Sequence, residues 1–210
     1  MVYISSVERT EVRPALLYSI ITGNVIYTTI EVFMSLLLSF FQRCVQLIDS
    51  LNERVGHFVS WLVLVLVLTT FCIVILRYLF DLSWVMMQES IIYLHGLIFM
   101  LGAAYTLKHE GHVRVDIIYQ RCTPTLKAWI DLLGTFFLLL PVAGFILWSS
   151  WEYVMNSWDI LEASRNSGGL PFVYLLKTCL LLMSGLLILQ GLSLLLSKII
   201  YLFEQGQKHG

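Results

Sequence analysis

Charge is what this chain has least of. Only 13% of its 210 residues are Asp, Glu, Lys or Arg, against about 25% in an ordinary soluble domain. The formal net charge of −1 leaves no field that would gather nucleic acid, so no nucleic-acid partner is expected. Cysteine is scarce as well. Cys44, Cys72, Cys122 and Cys179 stand far apart with no CxxC spacing, which excludes a metal knuckle or a disulfide framework and leaves them as small apolar fillers. Nowhere do an acid, a base, a nucleophile and a metal set cluster, so the chain is not read as an enzyme, and no catalytic, cofactor or metal residue is assigned.

What the chain does have is apolar surface: 58% of its residues are hydrophobic and mean hydropathy is +0.81. One core cannot hide that much. Residues 55–76, 90–107, 132–151 and 178–197 contain no Asp, Glu, Lys or Arg. Each is close to the roughly 20 residues that cross a bilayer as a helix, the form that satisfies its own backbone there. Trp61, Trp84, Trp129, Trp148 and Trp151 stand at or near the run ends, where indole rings prefer the interface. The expected fold class is an all-α integral membrane protein with four transmembrane helices.

Ahead of the first run, Leu37, Phe40, Phe41, Cys44, Leu47, Ile48, Leu51 and Val55 recur at helical steps, with polar residues between them. This pattern predicts an amphipathic interfacial helix over 34–56, lying in the headgroup plane or packed on other protein. Four segments follow: an uncertain extension over 1–33, the amphipathic helix over 34–56, the four-helix domain over 57–202 and a tail over 203–210. Residues 1–33 show no h-region followed by a small-residue cleavage site. They read either with a short extra span over 25–41 or as an extension ahead of a true start at Met34. Eight Lys and Arg (Arg43, Arg54, Lys108, Arg114, Arg121, Lys127, Lys198, Lys208) flank one set of span ends, against Arg77, Arg165 and Lys177 on the other. The positive-inside bias then puts both termini in the cytoplasm.

Thr123 and Pro124 read as the cap and first position of the third helix, and Pro141 predicts a kink within it. In the second helix, Gln88, His95 and Gly102 are seven apart, and so are Glu89, Gly96 and Ala103. That small, polar side is expected to meet other helices, of this chain or of a partner, with Leu94, Leu97 and Leu101 opposite, toward lipid. Bulk at Gly102 should therefore cost more than bulk at Leu97. Arg77 and Glu89 are expected to pair and pin the first hairpin, or to snorkel to the interface. His95, inside a span, reads as a hydrogen-bonded helix contact rather than a ligand.

Between the second and third helices the chain runs LGAAYTLKHEGHVRVDIIYQR over 101–121, where His112, Arg114 and Asp116 alternate with aliphatic residues at a period of two. These three form a salt-linked cluster, or Arg114 follows the charge bias and Asp116 caps a short helix. A haem-bearing membrane anchor of a redox complex is the competing reading. It needs histidines facing one another in the bundle, and only His95 is well inside a span. A self-sufficient transporter would show internal repeats and broken helices. A helical subunit serving a larger machine remains.

The order of motifs resembles the small membrane subunit of tripartite ATP-independent periplasmic (TRAP) transporters, the DctQ-like small permease family. The resemblance is carried by LIDSLNERVG over 47–56, ILRYLFDLSW over 75–84, the following Glu89, LGAAYTLKHEGHVRVDIIY over 101–119 and Gly-Leu-Pro over 169–171, spanning about 34–200. It implies a bacterial inner-membrane protein without cofactors, whose partners are a large TRAP membrane subunit, a periplasmic solute-binding protein and the lipid bilayer. The large subunit would carry ion-coupled uptake of an organic acid or similar solute. Arg77, Glu89, Gly102, His112, Arg114 and Asp116 then fall at recurring family positions, as assembly or structural residues.

Overall fold

The computed structural model describes residues 25–109, 111, 119 and 122–209. Its elements are helices: α1 over Val25–Phe80, α2 over Val85–Lys108, α3 over Pro124–Gly134, α4 over Leu140–Asp159 and α5 over Val173–His209. A π-helical turn, Thr135–Leu139, joins α3 to α4. Four stretches are long and apolar enough to cross a membrane: Val32–Phe80, Val85–Lys108, Pro124–Asp159 and Val173–Phe203. The all-helical, four-span expectation matches this architecture. The stretch 34–56, expected as an amphipathic helix ahead of the first span, is helical and continuous with that span in α1. At the other end, α5 continues past 203 to His209.

The chain falls into two units, Met1–Cys44 and Val45–Gly210. In the first, the described part is the beginning of α1. Phe33, Leu36 and Phe40 are exposed there, and the Ser35 and Ser39 hydroxyls donate to the carbonyls of Val32 and Leu36, both at 2.9 Å. Hydroxyls that bond back along their own helix in this way need no water.

The second unit is built on α5, which packs against α2, α3, the π turn and α4. Its interior is unlike that of a soluble protein. The buried apolar side chains are small or medium, among them Ala104, Ala128, Ala143 and Val154, and they are interleaved with buried Asn52, Glu89, Ser157, Ser184, Gln190 and Ser193. The large apolar residues point outward, with Phe99 at 71% and Trp148 at 85% exposure. Lipid tails solvate such residues as well as a protein core does, so burying them gains little; small residues at the seams let helices approach and form close contacts instead.

Each helix carries its local cause. Thr123 caps α3 by accepting from the Leu126 N–H at 3.3 Å, with Pro124 in the first turn. Pro141 lacks an N–H, and its ring crowds the carbonyl four residues back. The chain meets it with a wider turn just before, in which the Leu140 N–H reaches back to the Thr135 carbonyl. Side chains of that turn press on Gly191 of α5: a Cβ there would lie 3.0 Å from Leu139 and from Leu140.

The α1–α2 seam is closer still. A Cβ at Gly56 would fall inside the Tyr105 ring, and Tyr105 stacks on His109 with centroids 4.4 Å apart. Gly56→Val should force α1 from α2 and lower stability by about 1–3 kcal/mol. Gly134→Ala, where a Cβ meets nothing within 4 Å, should be neutral or stabilising by up to about 1 kcal/mol. Thermal unfolding of the two variants in detergent, read by circular dichroism, makes the comparison.

Candidate functional site

The charged and amide side chains of the second unit gather in two places, one at each end of the bundle. The first surrounds Glu89, in the second turn of α2 and only 8% exposed. One carboxylate oxygen accepts from the Ser164 hydroxyl at 2.5 Å and from the Asn166 side-chain amide at 2.8 Å. The other accepts from the Leu170 backbone N–H at 2.7 Å. All three donors lie in the α4–α5 connection, and all are neutral. That connection is folded for the purpose: the Ser164 N–H bonds the Leu170 carbonyl and the Gly169 N–H the Asn166 carbonyl. Gly168 supplies a φ of +76°, a conformation that suits glycine. Gly169 brings the backbone against the carboxylate, for a Cβ there would lie 2.7 Å from Glu89 Oε1.

A second carboxylate holds the same connection from within. Glu162 accepts from the Ser157 hydroxyl at 2.7 Å and from Lys177 of α5, and Lys177 also stands over the Tyr153 ring, 3.9 Å from its centroid. The Lys177 bond first, then the Ser157 hydroxyl, holds the Glu162 carboxyl below its ordinary value. One turn along α2 from Glu89, the Tyr93 hydroxyl is buried with no hydrogen-bond partner among the described residues.

At the opposite end, Asn52 of α1 is fully buried, and its amide donates to Gln190 Oε1 of α5 at 2.6 Å. Gln190 Nε2 donates to Asp49 Oδ1 at 3.0 Å, and the Ser193 hydroxyl reaches the same oxygen at 2.8 Å. Beside them, Glu53 receives Lys108 Nζ at 2.5 Å and lies 3.0 Å from His109 Nε2. Asp131 of α3 is paired with Lys198 of α5 at 2.7 Å. Polar residues of the stretch read as a wet amphipathic face thus bond other helices inside the unit.

The sequence-predicted residues are distributed unevenly over this arrangement. Glu89 is central, but its partner is not Arg77. Its oxygens are turned to the 164–170 connection, while Arg77 is exposed on α1 with no ion pair among the described residues. Gly102 faces Val59 of α1, 3.7 Å from where a Cβ would stand. Gly96 faces Leu176 of α5. Leu94, Leu97 and Leu101, expected toward lipid, are half-buried, whereas Gln88 and His95 are exposed. The reason is geometric: turning Glu89 to the α4–α5 connection rotates the Gln88–His95 stripe outward. His112, Arg114 and Asp116 lie outside the described residues. Sequence reasoning did not single out Asn52, Gln190, Ser193, Glu162 or Gly56. A lone glutamine inside the 178–197 run was the available signal for the first three.

Each of these carboxylates accepts from donors of its own chain, and among the described residues no three His, Cys, Asp or Glu stand together as a metal site. The arrangement defines a multi-span helical membrane protein whose polar groups clamp one helix to the next. The family model described as "Tripartite ATP-independent periplasmic transporters, DctQ component" matches residues 66–200, more than half of the chain, and the chain belongs to that family. It is therefore a transporter component. No curated protein and no solved structure matches the chain.

Removing the Glu89 carboxylate leaves the Ser164, Asn166 and Leu170 donors without their acceptor. Glu89→Ala should loosen the 160–172 connection more than Glu89→Gln, which keeps the shape and an acceptor; the rate of limited proteolysis within that connection reads the difference. Glu162 gives a pH dependence of definite sign. A carboxyl lowered in the folded state contributes stability that is present above its unfolded value, about 4.3, and is lost as pH falls through the folded value. The melting temperature should drop in acid more steeply for the native chain than for Glu162→Gln.

Proposed function

We propose that this chain is the small membrane subunit of a TRAP transporter, packing on the large permease subunit and stabilising it in the bacterial inner membrane. The large subunit carries ion-coupled transport, and a periplasmic binding protein delivers an organic acid or similar solute. Both termini lie in the cytoplasm, which puts the Glu89-clamped connection on the periplasmic side. Arg77, Glu89, His95, Gly102, His112, Arg114 and Asp116 serve assembly or fold.

One observation carries the reading beyond family membership. Buried polar groups of this chain bond within the chain, Glu89 to the 164–170 connection and Gln190 to Asp49 and Asn52. A component so arranged supports a transport site held elsewhere.

The test is to purify the tagged chain gently from its native host and identify what accompanies it. A much larger multi-span membrane protein is the expected companion, and a chain that elutes alone would sink the proposal. Alkaline phosphatase fused after the C-terminal residue should be inactive, and the same enzyme inserted near Asn166 should be active. The reverse pattern would overturn the orientation.

A further inference from the structure

α2 has three sides, and two are occupied within the chain. Glu89 turns toward the loop before α5 and Gly96 toward Leu176 of α5. Gly102 and Tyr105 turn toward α1. The third side presents Gln88, Ile92, His95 and Phe99, spaced at four, three and four residues and all exposed, with Ile92 at 62% and Phe99 at 71%. Gln88 has a partner, donating to the Ser83 hydroxyl at 2.9 Å. His95 has none among the described residues.

The depth of His95 makes it informative. It lies six residues beyond Glu89 and thirteen before Lys108, about 9 Å and about 20 Å along the helix axis. It is too short to snorkel to either interface as Lys and Arg do. An imidazole facing hydrocarbon leaves a ring N–H donor and a ring nitrogen acceptor without water, which is costly. Polar groups at such depth face protein. The amides of Asn52 and Gln190 and the Ser193 hydroxyl find partners on neighbouring helices, whereas His95 is both exposed and bare, which marks a side that the described residues do not cover.

We infer that the Gln88–Ile92–His95–Phe99 side of α2 is where a membrane-spanning helix of the large permease subunit docks. That helix carries a hydroxyl, amide or carboxylate at the depth of His95, and Ile92 and Phe99 pack on either side of the bond. This inference rests on the assembly reading proposed above.

The test uses the intact complex in native membranes. A photo-reactive phenylalanine analogue replacing Phe99 should form an adduct with the larger membrane protein, while the same analogue replacing Phe145 of α4, also exposed, should label lipid. His95→Leu should weaken recovery of the larger protein about threefold to tenfold and leave the melting temperature of the small subunit alone unchanged, since the imidazole makes no hydrogen bond or ion pair among the described residues. A larger protein recovered equally well with His95→Leu, or a position-99 adduct only to lipid or to a second copy of this chain, overturns the docking side and leaves the assembly reading standing. A wild-type chain that captures no larger protein overturns both.

Discussion

Between the helices of this protein there is no water to complete a hydrogen bond, and most of what the structure does follows from that. A polar side chain inside the bundle must meet another, and the meeting fixes how two helices sit. Asn52 and Asp49 of α1 find Gln190 and Ser193 of α5. Glu89 of α2 finds the loop before α5. α5 is common to these contacts, and α3 joins it through Asp131 and Lys198. Apolar burial cannot do this sorting, because lipid tails and leucine side chains are nearly equivalent surroundings. Specificity in the bundle comes from its few polar atoms, and close approach from glycines such as Gly56 and Gly191.

The two carboxylates at the α4–α5 connection divide the work in a way that charge counting does not suggest. Glu162 takes the one lysine within reach, Lys177. Glu89 is left to a hydroxyl, an amide and a backbone N–H, groups whose dipoles aim at it from one short segment. Such donors lose their value when moved by an ångström, whereas an ion pair tolerates movement. The connection is accordingly held in shape by Glu89 and tied down by Glu162.

The spans were legible because hydrocarbon imposes length and excludes charge, and both can be read directly from residues such as those of 178–197. The helix start at Thr123 and Pro124 was legible for an equally local reason. Direction was not. Asp49 sits on the polar face of an amphipathic pattern that suits the headgroup plane or other protein, and it meets Gln190 of α5. Glu89 and Arg77 looked like a pair from their places at neighbouring helix ends, but which way a side chain turns depends on the helix that arrives later in the chain. The half-burial of Leu94, Leu97 and Leu101 was not legible for the same cause: a stripe shows that two faces differ, and the helices that arrive later in the chain decide how much of each is covered. Pro141 was legible as a disturbance within the third span, and the structure has a π turn over Thr135–Leu139 just before it.

That turn also sets the phase of the third span. On an uninterrupted helix of 3.6 residues per turn, Ala128 and Val154, 26 positions apart, would point about 80° away from each other. A π turn absorbs one surplus residue, and the discrepancy falls to about 20°. Both side chains are accordingly buried, Ala128 at 2% and Val154 at 0% exposure, and the span keeps one continuous inner edge along its whole length. The surplus residue works like a leap day, returning two halves of a helix to step after their count has drifted.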